Sequence, residues 1–407
     1  MAGNVQHRAG KEGPIPVITA TVVISFLSFF TLGLPDGLLG VAWPTVRGEF
    51  GQPVGAIAFL LASGSMGYLL SSTSIGRIIR RIGLANAIVG GSASIAMGLA
   101  LIATAVSWWF ILPGYFLIGF GGGLVDAGFN AYAADHFDAT TMNWMHACFG
   151  IGATVGPSMM TFSLLRTGSW RPAYLVSSLF IVLVTALILR FRHRISGAAG
   201  GTRHPTEPVA PPAGHDLPAS ATADIDREGD LPAGRDPRWL STWGGVAVFF
   251  LYTGIEVSTG QLGFTLLVEG RGVDPVRAGF WVSAFWLALT VGRILLGPLS
   301  HRVGSRRVLR GAFALAVTAA LLLMLNLHPT LDGLSLALMG FALASIFPLM
   351  TLLTSERVGA ARAHDVIGYQ MGAATVGVVL LSGGGGVLAG RFGVALIGPY
   401  IFVLTLL

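Results

Sequence analysis

The chain has 407 residues, of which 53% are hydrophobic and only 11% are charged, and its formal net charge is +6. A soluble domain carries about 25% charged residues, so this chain has too few to cover a water-facing surface. The positive charge does not indicate a nucleic-acid partner, because the arginines are concentrated in short segments between long apolar stretches, as in membrane loops.

Apolar stretches of about 20 residues, each long enough to cross about 30 Å of hydrocarbon, recur along the chain. They predict twelve transmembrane helices, at residues 17–42, 54–75, 84–106, 108–132, 142–165, 171–191, 240–267, 275–297, 308–328, 331–354, 365–388 and 393–407. Arginine clusters fall in alternate connections, which is typical of cytoplasmic loops. We therefore expect a monomeric, multi-pass protein of the bacterial inner membrane with both termini in the cytoplasm.

The spans group into two six-helix bundles, at residues 17–193 and 239–407, after a cytoplasmic tail at residues 1–16. The segment 194–238 is rich in Pro, Gly, Ala and Asp and has no apolar period, so we expect a disordered cytoplasmic linker there. The last span is short, which predicts either that its helix begins earlier, near Gly390, or that the chain is cut short relative to its relatives.

The two halves echo each other at an offset of about 220 residues. Phe29 and Asp36 return as Phe249 and Glu256, and further matches occur in the same order. Four such matches at nearly one spacing indicate an internal duplication. Duplicated helical halves in a bilayer are the architecture of secondary transporters, which alternate access around a site between the halves.

The strongest local motif is Gly297-Pro-Leu-Ser-His-Arg-Val-Gly304, followed by two arginines, with a degenerate copy from Gly76 to Gly83. It resembles the loop 2–3 and loop 8–9 signature of the major facilitator superfamily, Gly-x-x-x-Asp-Arg-x-Gly-Arg-Arg. The acidic position of that signature holds Arg80 in the first copy and His301 in the second. The resemblance implies an all-α fold of twelve transmembrane helices in two pseudo-symmetric six-helix bundles. It also implies a gating role for the loop arginines Arg80, Arg81, Arg302 and Arg306; the alternative is a purely topological anchor.

Carboxyl groups inside apolar spans are the candidates for transport chemistry. An ionised carboxylate near mid-membrane costs about 2.5–3.5 kcal/mol on insertion scales, so it must face a cavity, pair with a cation or bind a proton. Asp36 in span 1, Asp126 in span 4 and Glu256 in span 7 meet this description. A carboxyl group whose hydration changes between two states can couple proton movement to transport; the alternative is a hydrogen bond between packed helices.

Asp126 and Asn130 lie four residues apart and so share one helix face. With the glycines that precede them, they resemble the fourth-helix Glu-x-x-x-Asn element of the fucose permease branch of the superfamily. Asp36 resembles the first-helix aspartate of that branch, and the segment from Tyr252 to Gln261 resembles a seventh-helix signature of related sugar transporters. These likenesses imply proton coupling and sugar binding.

Other polar and aromatic residues inside the spans could line a central cavity. The candidates for substrate binding are Asn130, Asn143, His146, Tyr252, Gln261, Trp281 and Gln370. Arg293 in span 8 lies one turn before Gly297, so we expect it to extend to the lipid headgroups, with an ion pair to an acid across the bundle as the alternative. The glycines of span 5, from Gly150 to Gly156, indicate close helix packing.

The sequence contains no metal-ligand cluster, phosphate-binding loop or nucleophile–base set that could be placed together, so we expect neither an enzyme nor a cofactor. The leading hypothesis is a proton-coupled symporter of a small neutral polar solute, a monosaccharide. Its partners would be that solute, protons and the lipid bilayer. The first alternative is a proton-driven exporter of amphiphilic compounds such as drugs, and the second is a non-transporting sensor on a transporter scaffold.

Overall fold

A computed structural model describes residues 15–199 and 237–407, and these residues form helices and short connections without a strand. The helices are α1 (Ile15–Glu49), α2 (Ile57–Ile82), α3 (Leu84–Ala103), α4 (Trp108–His136), α5 (Ala139–Thr167), α6 (Arg171–Ala199), α7 (Pro237–Thr265), α8 (Pro275–Val303), α9 (Ser305–Leu325), α10 (Pro329–Leu343), α11 (Ile346–Val358), α12 (Ala360–Phe392) and α13 (Ile397–Leu406). A π-helical segment, Leu266–Gly270, extends α7.

Ten helical segments in the described part of the chain are long and apolar enough to cross a membrane, and α10 and α11 together make one of them. The helix α7 and the short α13 complete the twelve transmembrane elements. A helix pairs its backbone N–H and C=O groups within the segment, as the hydrocarbon layer demands, except opposite the prolines inside α1, α4, α5 and α8. The predicted fold class, twelve helices in two bundles, is therefore confirmed.

The packing order of the first half repeats in the second. In the first half α1 packs along α5, α2 along α4 and α3 along α6; in the second half α7 packs along α12, α8 along α10 and α9 along α13. The halves meet where α5 lies against α8, α2 against α12, and α1 against α7. At the α5–α8 contact the hydroxyl groups of Ser158 and Ser283 are 2.8 Å apart.

Glycine contacts show the duplication at atomic detail. A Cβ added to Gly119 would lie 1.9 Å from the carbonyl oxygen of Gly64, and one added to Gly340 would lie 2.1 Å from that of Phe285. Both residues of the second pair stand 221 positions after those of the first (340 − 119 and 285 − 64). The same close approach of helix backbones therefore recurs in each half.

The connections α2–α3 and α8–α9 are single glycines with positive φ, 83° at Gly83 and 97° at Gly304. Only glycine adopts this conformation without strain, which explains why the loop motif carries it in both copies. These connections, the start of α1 and the end of α6 lie on one side of the protein, which we call the basic face because its exposed arginines include Arg80, Arg81, Arg302 and Arg306. The opposite side is called the far face.

Some predicted boundaries differ from the structure. The helix α6 continues through Ala199 and α7 begins at Pro237, so the expected linker 194–238 is helical at both ends, while residues 200–236 lie outside the described residues. The expectation that the last helix begins near Gly390 is wrong, because α12 continues to Phe392 and Gly393, with φ 98°, breaks the chain before α13. Span 10 was expected to be one helix but is interrupted between Leu343 and Ile346.

Candidate functional site

A cavity of about 1010 Å³ lies between the two halves. It is lined by residues of α1 to α5 from the first half and of α7, α8, the α10–α11 break and α11 from the second. The cavity extends to the basic face, where its lining residues Asn143, near the start of α5, and Gly297, near the end of α8, are exposed. A solute can therefore enter from that side.

The far face is closed by contacts between the halves. The guanidinium group of Arg47, at the end of α1, forms an ion pair with Glu269 in the π-helical segment after α7. Below this pair, Gly40 of α1 lies against its duplication counterpart in α7, since a Cβ on Gly40 would come within 2.6 Å of the carbonyl oxygen of Gly260. Main-chain atoms this close leave no passage along the α1–α7 contact.

Four polar side chains of the first half form one hydrogen-bonded network beside the cavity. The Tyr68 hydroxyl donates to Oδ2 of Asp126 at 2.6 Å, and Nδ2 of Asn130 donates to Oδ1 of Asp126 at 2.8 Å. Nε2 of His146 lies 3.2 Å from Oδ1 of Asn130. The network therefore links α2, α4 and α5 through the Asp126 carboxylate.

The donor and acceptor pattern assigns the hydrogen on the histidine ring. Because the amide nitrogen of Asn130 faces the carboxylate of Asp126, its amide oxygen is the group that faces His146. A carbonyl oxygen can only accept, so Nε2 of His146 carries the hydrogen. The ring is held by an edge-on contact with Phe29, whose centroid is 5.0 Å away. A change in the protonation of Asp126 can thus reach His146 through one amide.

The second half supplies a charged cluster on α7 and α8. The carboxylate of Glu256 accepts a hydrogen bond from Tyr252, one helical turn before it, and lies 3.7 Å from a guanidinium nitrogen of Arg293. Glu256 and Arg293 both line the cavity. We expected Arg293 to extend to the lipid headgroups, and this is wrong. It pairs with an acid of its own half inside the cavity.

Asp36 differs from the other two acids. It lines the cavity and is exposed to it, yet its side chain makes no hydrogen bond or ion pair with any residue in the described part of the chain. It lies between Pro35 and Gly37 on α1, and Gly37 packs against the main chain of α5 at Ala153. The carboxylate is thus presented to the cavity by a tightly packed helix and depends on water or a ligand for its partners.

The candidate substrate-binding residues divide into two groups. Asn143, His146 and Tyr252 line the cavity, and Asn130 reaches it only through its bonds to Asp126 and His146. The structure places the remaining three candidates, Gln261, Trp281 and Gln370, outside the cavity lining.

These three side chains have structural contacts instead. Nε2 of Gln261 donates to the main-chain carbonyl of Asp36 at 3.0 Å and so joins the two halves. Gln370 exchanges hydrogen bonds with Thr354 at 3.1 and 3.2 Å, which joins α12 to α11. Trp281 packs over Gly333 of α10, where a Cβ would lie 2.1 Å from the ring.

The four arginines predicted to gate lie at the basic face, away from the cavity walls. Arg80 and Arg81 are exposed in the last turn of α2, and Arg302 is exposed near the end of α8. Arg306, in the first turn of α9, lies 3.7 Å from Glu356 at the end of α11, and both side chains are well exposed. Such a pair is screened by water and contributes little to stability.

Sequence reasoning missed Tyr68 and did not place Arg293 among the site residues. Tyr68 lies in an apolar stretch of α2, and one tyrosine in such a stretch carries no signal for a hydrogen-bonded carboxylate on another helix. A signal for Arg293 did exist, since a cation in span 8 and an acid in span 7 each require a partner. Of the α5 glycines, Gly152 and Gly156 pack against α1, where a Cβ on Gly152 would lie 2.1 Å from the carbonyl oxygen of Phe30, whereas Gly150 packs against Thr290 of α8.

Comparison with known protein sequences gives one family and two relatives of interest. The sequence profile of the Major Facilitator Superfamily matches residues 24–405. The chain is 21% identical to the glucose/mannose transporter GlcP of Bacillus subtilis over 347 residues, which cover 83% of this chain and 80% of that protein. It is 22% identical to Bypass of stop codon protein 6 of Saccharomyces cerevisiae over 310 residues, which cover 71% of this chain but only 58% of that protein.

Solved structures share the fold at low sequence identity. The nucleoside transporter NupG superimposes with a TM-score of 0.68 at 13% identity, over 96% of this chain and 98% of that one. A POT family transporter in complex with 5-aminolevulinic acid gives a TM-score of 0.70 at 14% identity, over 96% and 94% of the two chains. At this identity the likeness concerns the fold alone.

Proposed function

Because this chain belongs to the Major Facilitator Superfamily, we propose that it is a proton-coupled symporter that carries a monosaccharide, or a similar small neutral solute, by alternating access. The observation that carries this proposal is that Asp36, Asp126 and Glu256, from both halves, line one cavity between them. The similarity to a glucose/mannose transporter supports the solute class. The protein would be a monomer in the bacterial inner membrane and would need no cofactor.

The arrangement of charge supports protons as the coupling ion. Among the described residues, three carboxylates and one guanidinium group, that of Arg293, line the cavity. When all three acids are ionised and His146 is neutral, two negative charges remain without a counter-charge. An anionic solute would add to this excess, whereas a neutral solute that enters with protons would reduce it.

The Asp126 network offers a way to couple a proton to the solute. The ionised carboxylate can accept the hydrogen bonds of both Tyr68 and Asn130, but a protonated carboxyl has a donor of its own and gives up acceptor capacity. Proton binding would therefore release or redirect the amide of Asn130, and with it His146, which lines the cavity. We propose that this rearrangement changes how the cavity binds a solute hydroxyl.

Asp36 would act on closure of the cavity. An ionised carboxylate without a protein partner costs about 2.5–3.5 kcal/mol when it is taken from water into the membrane interior. Proton binding removes most of this cost, so the loaded and protonated state would close more readily than the empty, ionised one. Closure would thus depend on a proton at Asp36, so solute that enters without a proton would not be carried across.

The distribution of arginines supports the basic face as the cytoplasmic side, which would make this conformation open to the cytoplasm. Closure of that side would bring the ends of α4 and α11 together. The arginines Arg80, Arg81, Arg302 and Arg306 would then exchange partners, among them Glu356, which now pairs with Arg306. This is the gating role that we propose for them.

The test uses purified protein in liposomes with radiolabelled hexoses. We expect accumulation when the lumen is made alkaline, and exchange of labelled for unlabelled hexose without a gradient. Asp126→Asn should retain exchange but lose accumulation, because the amide cannot take up and release a proton. Asp135→Asn, an exposed aspartate on the same helix that does not line the cavity, is the matched control and should behave as the wild type.

A proton-driven exporter of amphiphilic compounds is the second candidate, and the apolar part of the cavity wall favours it. That part includes Leu32, Ile118, Phe149, Leu296, Phe347 and Leu352. The same liposomes distinguish the two functions. Proton release driven by amphiphilic amines, together with no exchange of any hexose, would end the symport proposal.

A further inference from the structure

The tenth transmembrane element contains a break that the duplication did not predict. The helix α10 ends at Leu343 and α11 begins at Ile346, in the middle of the span Pro329–Val358. Pro348 explains part of it, because proline has no N–H and so leaves the carbonyl of Ala344, four residues earlier, without its helical partner. A free main-chain carbonyl inside a membrane protein is tolerated where it borders a cavity.

The break borders the cavity, and it carries an unpaired side chain. Ala344, Ser345 and Pro348 all line the cavity. Ser345 is only 2% exposed, and its hydroxyl has no hydrogen-bond partner in the described part of the chain. A buried hydroxyl without a partner is destabilising, and rotation about a single side-chain bond turns it toward a ligand.

A cation lies beside the break. A Cβ on Gly292 would lie 2.5 Å from Cβ of Ala344, so α8 packs tightly against the break at the residue before Arg293. The side chain of Arg293 is 37% exposed, and its guanidinium group stands 3.7 Å from Glu256, which is longer than a hydrogen bond. A guanidinium group has five N–H donors, so Arg293 keeps donors for a ligand while Glu256 balances its charge.

We infer that the α10–α11 break is a hydroxyl-binding subsite, in which Ser345, the carbonyl of Ala344 and the guanidinium of Arg293 bind adjacent hydroxyl groups of a polyol. The inference rests on the proposed function and deepens it. A sugar hydroxyl both donates and accepts, and the subsite offers a carbonyl acceptor, guanidinium donors and a hydroxyl that does either. An anionic group does not fit, because Glu256 already balances the charge of Arg293 and the other cavity acids add negative charge.

The test is calorimetric binding of hexoses and their single-deoxy analogues to the purified full-length chain. Ser345→Ala should weaken binding of the parent hexose about 5- to 10-fold. For one deoxy analogue, the one without the hydroxyl that meets Ser345, the substitution should change affinity by less than about 2-fold. Without ligand, Ser345→Ala should melt at or above the wild-type temperature, because it removes an unpaired hydroxyl.

Ser335→Ala is the matched control, since Ser335 lies in α10, is fully buried and bonds the carbonyl of Leu331 at 2.6 Å, outside the cavity lining. It should leave hexose affinity unchanged. If Ser345→Ala weakens all analogues equally, or weakens none, the subsite is refuted while symport stands. If the wild type binds no hexose or hexitol at all, the proposed function fails and the subsite fails with it.

Discussion

The ion pair between Arg47 and Glu269 should hold the far face shut. The two side chains come from different halves and are 21% and 28% exposed, so the pair is screened less than a surface pair but is not fully buried. Exposed pairs contribute about 0.2–1 kcal/mol, and close pairs at an interface contribute more. We therefore expect Arg47→Gln to shift the equilibrium toward the state open at the far face by about 1–2 kcal/mol, a factor of about 5 to 30.

The measurement is a distance distribution between two spin labels on the far face. Val106 and Leu327 are 82% and 62% exposed, and they lie in the counterpart connections α3–α4 and α9–α10. Cysteines at these positions, in a background with Cys148 replaced by serine, place one label on each half. In Arg47→Gln the ratio of the long-distance to the short-distance population should grow by a factor of about 5 to 30.

The control is an ion pair of the same kind that does not cross between the halves. Glu49 of α1 binds Arg171 of α6 through two hydrogen bonds of 2.6 and 2.9 Å on the same face, so Glu49→Gln should leave the distances unchanged. The exchanged pair, Arg47→Glu with Glu269→Arg, should restore the wild-type distribution. Equal shifts in Arg47→Gln and Glu49→Gln, or no shift in either, would show that this pair is not a clamp.

Three further substitutions test other parts of the structure. Glu256→Gln leaves the Arg293 guanidinium without its counter-charge and should lower the melting temperature in detergent, while the double variant with Arg293→Gln should recover at least half of the loss. Gly40→Leu places a side chain where a Cβ would already lie 2.6 Å from a main-chain oxygen of α7. The far face should then fail to close, so solute accumulation should be abolished although the protein still inserts into the membrane. Wild-type accumulation would contradict the closed far face. Asp332→Asn removes the counter-charge of Arg271, which is buried with 4% of its side chain exposed. The free energy of unfolding, measured by chemical denaturation, should fall by about 3–5 kcal/mol. A loss below about 1 kcal/mol would show that the pair is dispensable.

The sequence was sufficient for the fold because the bilayer imposes few solutions. A membrane-spanning backbone must satisfy its own hydrogen bonds, so apolar length alone predicted the helices, and the echo between Asp36 and Glu256 predicted their arrangement in two halves. The same reasoning predicted which acids matter. A carboxyl group in an apolar span must face a polar partner or a water-filled cavity, and all three candidates do line one cavity. Their roles in proton coupling stay predictions.

Other features of the site depend on how each helix is rotated about its axis and on which side chains of neighbouring helices reach it. Gln261 and Gln370 were expected to bind solute, yet each is buried with a partner on another helix. Tyr68 was not expected, and it donates the shortest hydrogen bond to Asp126. Spacing along one chain places residues on a helix face, but it does not say which element covers that face.

The amino-acid order by itself determined where the membrane is crossed, that the chain is duplicated, and that ionisable groups occur at mid-span. The spans and their ionisable groups can be recognised because the free-energy cost of moving a side chain from water into the membrane is set residue by residue. Only the tertiary structure decided that Arg293 pairs with Glu256, that Asp36 has no partner in the described residues, and that the far face is the closed one. These are relations between helices from distant parts of the chain, and close packing, in which one side chain excludes another, is what selects among them.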